Sequence, residues 1–272
     1  SEVGAAIDVD VAGNLYVTGN FRGQADFGPF ILTSTGGRDA FVAKIGPNGD
    51  FQWAKNWGGT NDETGSGVAV DTSGNVFASG HEWVAGAGFT GCTIQKYNAT
   101  GATVWNKKIN SAGGTAGKVD TDAAGNVYVT GLFYGTVDFD PAPNTKFAVI
   151  GATGLYLSNY GRNGFVLKLT ASGSFGWVTP FVAKTTDANM DVNDLVVDGS
   201  GNVVVVGRYA GGYDFDPSSK IDFRLPANGV GFVEKLSSTG ASLWTTPMGG
   251  SNVRSVTLDT SGTVYTTGTF VN

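Results

Sequence analysis

The chain reads as an all-β protein: a β-propeller of four-stranded blades, with four full repeats and a half repeat, about five blades. Three observations predict it. One sentence is written five times: AIDVDVAGNLYVTG at 6–19, GVAVDTSGNVFASG at 67–80, KVDTDAAGNVYVTG at 118–131, DLVVDGSGNVVVVG at 194–207 and SVTLDTSGTVYTTG at 255–268. Its turn residue falls at Asn14, Asn75, Asn126, Asn202 and Thr263, in steps of 61, 51, 76 and 61 residues, the period of units that bury their apolar faces only against one another. Each full repeat then carries a Lys, a Gly five residues later and a Trp four after that: Lys44–Gly49–Trp53, Lys96–Gly101–Trp105, Lys168–Gly173–Trp177 and Lys235–Gly240–Trp244. Finally, helical patterning is absent, and short apolar runs rich in Val, Thr, Tyr, Phe and Trp are bounded by Gly, Asn, Asp and Ser.

The elements follow in order. In unit one (about 1–59) a strand runs to Asp10, turns, and returns to about Asn20; after a connector, 39–45 and 51–57 form a second hairpin. Unit two (60–110) repeats this around Asn75 and Gly101. Unit three (111–186) does so around Asn126 and Gly173, with an inserted run, KFAVIGATGLYLSNYGRN, at 146–163. Unit four (187–248) turns at Asn202 and Gly240, and unit five (249–272) holds the first two strands alone. The whole is expected to form one domain. Its 43 glycines recur at turn positions and do not mark low complexity.

A two-residue turn at Gly49 and its counterparts places each Lys directly opposite its Trp, and a bulged turn makes the contact diagonal. In either case the ammonium is expected over the indole face. Recurrence once per blade assigns Lys44, Lys96, Lys168, Lys235 and Trp53, Trp105, Trp177, Trp244 to packing; the competing reading is four aromatic platforms for a ligand.

Composition bounds the function. The formal net charge is −6 and charged residues make up 15%, which argues against a nucleic-acid partner. No run of 18 apolar residues exists, so no membrane span is expected. The first residues already read as strand and no leader precedes them, so a mature, processed or excised chain is expected. Cys92 is the single cysteine, which leaves no internal disulfide and no cysteine-based zinc site.

Longer stretches carry a resemblance. VDTDAAGNVYVTGLFYGTVDFDP at 119–141 and VDGSGNVVVVGRYAGGYDFDP at 197–217, each followed by the Lys–Gly–Trp hairpin, resemble the bacterial SBBP-type β-propeller repeat; unit one has the variant GNFRGQADFGP at 19–29. The resemblance implies a secreted or surface-exposed propeller, part of a larger bacterial extracellular protein, with no defined catalytic activity. Unit two departs from it, with HEWVAGAGFTG at 81–91 in place of DFDP, unit three by its insertion, and unit five by stopping where its DFDP would begin. Either five inner strands close a ring with one thin blade, or the missing strands come from sequence outside these residues. The open strand at 264–270 invites another strand, so a protein partner or self-association is expected through 249–272.

The candidate chemistry is sparse. The DFDP segments set Asp138 and Asp140, and Asp214 and Asp216, two apart, on one face if the chain is extended. Clustered carboxylates suit Ca²⁺, a possible but not required cofactor; the competing reading is that they cap backbone amides and fix the loop. The turns Asp8-x-Asp10-x-x-Gly13-Asn14 and Asp120-x-Asp122-x-x-Gly125-Asn126 resemble a fragment of a calcium loop but lack its distal Glu, and a hairpin turn explains them without metal. His81, the one histidine, reads as part of an exposed polar loop. Binding candidates are Trp83 in the aberrant connector and Tyr156 and Tyr160 in the insertion, where the repeats differ. The expectation is a non-enzymatic extracellular module for surface assembly or adhesion. The alternative is a carbohydrate-binding or carbohydrate-active propeller, with exposed aromatics among Trp83, Tyr134, Tyr156, Tyr160 and Tyr209.

Overall fold

In the computed structural model, residues 2–85, 88–110, 114–142, 148–150, 162–185, 188–215, 223–224 and 229–270 are described. Blade 1 is an antiparallel sheet of β1 (Glu2–Val9), β2 (Leu15–Phe27), β3 (Phe30–Ile45) and β4 (Phe51–Trp57), in that order. Blade 2 repeats it with β5 (Asp62–Val70), β6 (Val76–Val84), β7 (Gly88–Tyr97) and β8 (Thr103–Asn110). Blade 3 is built from β9 (Thr115–Thr121) and β10 (Val127–Phe133). A side hairpin of β11 (Thr136–Asp138) and β12 (Ala148–Ile150) comes next in the chain, and β13 (Asn163–Leu169) and β14 (Phe175–Ala183) complete the blade. Blade 4 takes β15 (Asn189–Val197) and β16 (Val203–Ala210), then two short strands, β17 (Tyr213–Asp214) and β18 (Phe223–Arg224), then β19 (Val230–Leu236) and β20 (Ser242–Met248). Blade 5 is the hairpin β21 (Ser251–Leu258) and β22 (Val264–Phe270). This is a β-propeller of about five blades.

The inner strands β1, β5, β9, β15 and β21 line a common channel of about 590 Å³. Ile7, Asp8, Lys118, Asp120, Asp194 and Arg254 face it, one or more from four of the five blades; Val68 and Ala69 complete it from β5. Apolar seams between neighbouring sheets form the core. Tyr16, Trp53 and Val68 fill the seam of blades 1 and 2; Phe77, Val119 and Phe165 that of blades 2 and 3; Tyr128, Phe181 and Val203 that of blades 3 and 4; Val204, Val233 and Val256 that of blades 4 and 5. A sheet with neighbours on both faces reads as a continuous apolar run. The four consecutive valines of β16, Val203 to Val206, are all fully buried. Burial fades toward both ends of the array: Val3, Ile7 and Val9 of β1 and Tyr265 and Phe270 of β22 are exposed.

Besides the β11–β12 side hairpin, a second segment departs from the plain four-strand scheme. β17, from the DFDP stretch of unit four, pairs not with its own blade but with the outer strand of blade 3, Val182 opposite Asp214 and Ala183 opposite Tyr213. It straps the two blades together.

Candidate interaction site

The repeated Asp is a knot of hydrogen bonds. Asp10 Oδ1 accepts the backbone N–H of Ala12 at 3.0 Å and of Asn14 at 2.9 Å, while Oδ2 accepts the Asn14 side-chain amide at 2.7 Å and the Tyr16 hydroxyl at 3.0 Å. Asp122 repeats the arrangement with Tyr128, and Asp71 and Asp198 take the same backbone and amide donors. Burial works to raise these carboxyls, but the donors outweigh it and hold Asp10, Asp122 and Asp198 below the usual range. At Asp259 the Ser261 hydroxyl leads the lowering. Each carboxylate is thus occupied by its own turn, as a hairpin reading requires.

The Lys–Trp register is direct: Lys44 faces Trp53, Lys96 Trp105, Lys168 Trp177 and Lys235 Trp244. The turn between them is nevertheless bulged, with a register shift after each Lys that restores the opposition. The ammonium does not settle over the indole as expected. It stands over the aromatic ring of the second strand: Lys44 is 5.4 Å from the Tyr16 centroid, Lys96 5.0 Å from Phe77 and Lys168 4.9 Å from Tyr128. The reason is that each Lys lies between two cross-strand partners, and the repeated Asp beside the first ring adds charge. Lys168 and Lys235 reach Asp122 and Asp198 at 3.7 and 3.4 Å.

The indoles face forward into the next blade. Trp53 Nε1 donates to the Ala99 carbonyl at 3.2 Å, Trp105 to Ala171 at 3.1 Å and Trp177 to Ser238 at 3.0 Å. Each acceptor sits two residues before the turn glycine of the following blade. Those glycines, Gly101, Gly173 and Gly240, have φ of 79°, 79° and 84° and pack on the preceding indole, where an added Cβ would stand 2.8 Å from Trp53, 3.1 Å from Trp105 and 2.8 Å from Trp177. Blades 1 to 3 therefore each hold the outer turn of their successor.

At Trp244 no outer hairpin of blade 5 is present among the described residues. Trp244 is 40% exposed where Trp53 is 6% exposed, and Leu243 beside it is exposed. Tyr265, in the place of the fully buried Tyr16 and Tyr128, is 54% exposed, yet its hydroxyl still donates to Asp259 at 3.2 Å. β22 pairs with β21 alone and presents an open edge. A hollow of about 150 Å³ borders it beside Met248, Val253 and Phe270, and one of about 570 Å³ lies apart, between the turns of Asp198–Ser200 and Asp259–Gly262.

The remaining predicted residues are scattered. β11 ends at Asp138, whose Oδ1 accepts the Asp140 backbone N–H at 3.1 Å, and Asp140 Oδ1 accepts that of Ala142 at 2.9 Å. Val137 and Phe139 are buried, and Asp138 and Asp140 are half-buried. Asp214 lies buried in the strap, 3.6 Å from the Lys184 ammonium. Asp216, Tyr156 and Tyr160 lie outside the described residues. Among those described, no group of three or more His, Cys, Asp or Glu is placed to hold a metal ion. Trp83 is exposed on β6, and Tyr134 is half-buried. Tyr209 is not exposed: it is core, 5.0 Å from Phe215 and 6.1 Å from Phe232 between ring centroids. Nor does His81 stand in a loop. It belongs to β6, half-buried edge-on to Phe89 and 3.2 Å from the Ser66 hydroxyl, and burial lowers its basicity. What the sequence reading missed is the Phe inside DFDP. Phe139 and Phe215 are fully buried, and Phe215 bridges blades 3 and 4 by touching Phe181 and Phe232. The signal was available, since Phe recurs at 27, 139 and 215.

Fold and site together define a β-propeller of about five blades, the fifth described as the hairpin of β21 and β22. No family model matches the chain. An uncharacterised WD repeat-containing protein of Acanthamoeba polyphaga mimivirus is 26% identical over 172 residues, taking in 53% of this chain and 12% of that protein's length. Among solved structures, the Dos1 propeller aligns at TM-score 0.48 and 11% identity, over 97% of this chain and 52% of that one. A protein of unknown function from Bacteroides caccae aligns at TM-score 0.38 and 12% identity, over 91% and 82%. A quinonprotein alcohol dehydrogenase-like protein from Bacteroides thetaiotaomicron aligns at 0.22 and 11%, over 90% and 66%.

Proposed function

We propose that this chain is a non-enzymatic β-propeller scaffold for protein interaction, acting through its uncovered half-blade within a larger secreted or cell-surface assembly. The observation that carries the reading is the contrast at one position: the second strand of blades 1 to 4 is covered by a third, and among the described residues no third strand lies on β22, whose cover comes from a partner or from sequence outside these residues. An open strand bearing Tyr265 and Phe270 beside the exposed Trp244 is a surface built to be covered. The resemblance to SBBP-type repeats supports the extracellular, adhesive setting. The non-enzymatic reading draws on the reactive groups. Cys92 is buried, and its burial pushes the thiol up to about 12, out of the range of a nucleophile. The repeated acids are engaged by their own turns. In this reading the DFDP carboxylates fasten loops and no cofactor is called for.

Sedimentation velocity over a range of concentrations tests the proposal. The chain is expected to associate, and Thr267→Pro to suppress association while the main melting transition persists. A strictly monomeric chain that Thr267→Pro leaves unchanged would sink the reading. A screen of glycans against Trp83→Ala then becomes the next measurement.

A further inference from the structure

We infer that blade 2 carries a binding shelf for a neutral pyranose sugar, built from Trp83 and Phe89. The inference does not depend on the half-blade reading, since blade 2 has a neighbour on both sides. It starts from an aromatic triple that the other three full blades share. Two and eight residues after the glycine that closes the repeated sentence stand Phe21 and Phe27, Phe133 and Phe139, and Tyr209 and Phe215. Directly across from that glycine lies a third ring, Phe41, Phe165 or Phe232. Each triple is closed on itself: Phe27 is 4.9 Å from Phe41, Phe139 4.8 Å from Phe165 and Phe215 5.1 Å from Phe232 between ring centroids. All nine rings are buried.

Blade 2 holds one residue more in this stretch. Its aromatics come three and nine residues after Gly80, at Trp83 and Phe89, and Thr93 stands across from the glycine. Strand side chains alternate, so the extra residue moves the first aromatic to the other face of β6. Glu82 takes the place two after the glycine, where Asn61, Thr90 and Lys108 hold its carboxylate at 2.9, 3.0 and 2.8 Å. The Trp57 indole of blade 1 fills the room of the missing ring, 3.2 Å from where a Gly80 Cβ would stand. The displaced rings are left outside: Trp83 is 43% and Phe89 38% exposed. They stand directly opposite each other, with Asp62 across from Trp83 on its other side. His81 lies edge-on to Phe89 at 4.9 Å and is itself held by the Ser66 hydroxyl, which fixes that ring.

The size and charge of the shelf name its occupant. With about 150–250 Å² per aromatic side chain, two rings exposed by about two-fifths present roughly 150 Å² together. A stable protein interface needs about 800 Å² from each side, and no other large apolar side chain described on β5, β6 or β7 is exposed. The area suits one face of a pyranose ring. Sugar C–H groups carry slight positive charge and pack on the negative face of an aromatic ring, while the hydroxyls need polar groups at the rim. Asp62 stands at that rim, its carboxylate oriented by the Arg38 N–H at 2.8 Å. Asp62, Glu63 and Glu82 outnumber Lys108 there, a net negative set that repels a uronic or sialic acid and favours an uncharged sugar.

The test is titration calorimetry of the full chain with four neutral hexasaccharides: cellohexaose, mannohexaose, xylohexaose and chitohexaose. At least one is expected to bind one-to-one with a submillimolar Kd. Trp83→Ala is expected to weaken it at least tenfold and Phe89→Ala at least threefold, while Trp83→Tyr, which keeps a ring, stays within threefold. All three variants are expected to keep the parent melting temperature, as exposed side chains allow. The anionic hexagalacturonate is expected to bind at least tenfold more weakly than the best neutral sugar. No binding by any of the four at millimolar concentration, or binding that Trp83→Ala leaves unchanged, overturns the inference. So does preferred binding of hexagalacturonate. Self-association lost in Trp83→Ala would overturn it in favour of a protein partner, whereas its loss in Thr267→Pro alone bears only on the half-blade.

Discussion

Trp53 and Trp244 occupy the same position of the repeat and live in opposite surroundings, which makes them an internal control. Trp53 is buried and donates across the seam; Trp244 is 40% exposed, with no following outer turn against it among the described residues. Trp53→Ala should cost about 3–5 kcal/mol, and Trp244→Ala about 0.5 kcal/mol or less, by urea denaturation. Equal losses would mean that the indoles act within their own blades and not across the seams. Asp120 gives a second test. It is partly shielded in the channel wall, accepts the Val197 N–H of the next inner strand at 2.7 Å, and burial raises its carboxyl to about 6, with Asp8 and Asp194 adding repulsion. The folded form thus holds its proton more tightly than the unfolded chain. The benefit is full below about pH 4 and is lost as pH rises through 6. Relative to Asp120→Asn, the parent chain should lose stability over that window, read as the difference between two pH–melting curves. At this scale the Lys–Trp register was legible in the spacing. The ammonium's true partner was not, because the ring of Tyr16 comes from another hairpin.

Hairpins were legible because their partners are adjacent in sequence and their turns carry Asp, Asn and Gly in fixed order. The straps were not, because they pair one repeat with another. β17 leaves blade 4 to join β14 of blade 3, and nothing in DFDP announces the direction. The acids drew notice as ligands while the Phe between them did the packing. Phe215→Ala should therefore cost about 3–5 kcal/mol by the same denaturation measurement, since the fully buried ring touches both blades. Asp138→Asn, whose carboxylate caps a bend, should cost about 1 kcal/mol. The reverse order would return the acids to the centre of the motif.

For the molecule as a whole, five recurrences of one sentence were enough to place five inner strands around a channel. Which blades are covered was legible only as a count of strands; that Trp244, Tyr265 and Gly262 stand open together required the packing. The carboxylates bear on the whole fold as well. A calcium titration of thermal unfolding should leave the melting temperature unchanged, and chelator likewise, because ligand binding to the folded state alone would raise it. A rise of several degrees, blunted by Asp140→Asn, would restore the metal reading.

The forward reach of the indoles gives the chain a direction in time. Trp53 waits for a carbonyl 46 residues downstream, Trp105 for one 66 away and Trp177 for one 61 away. At ribosomal speeds of about 5–20 residues per second, each newly made blade exposes its indole for roughly 2–13 s before its acceptor is synthesised. Manufacture from the N-terminus therefore always carries one unsealed blade at its growing front, its indole waiting for the turn of the blade still to come.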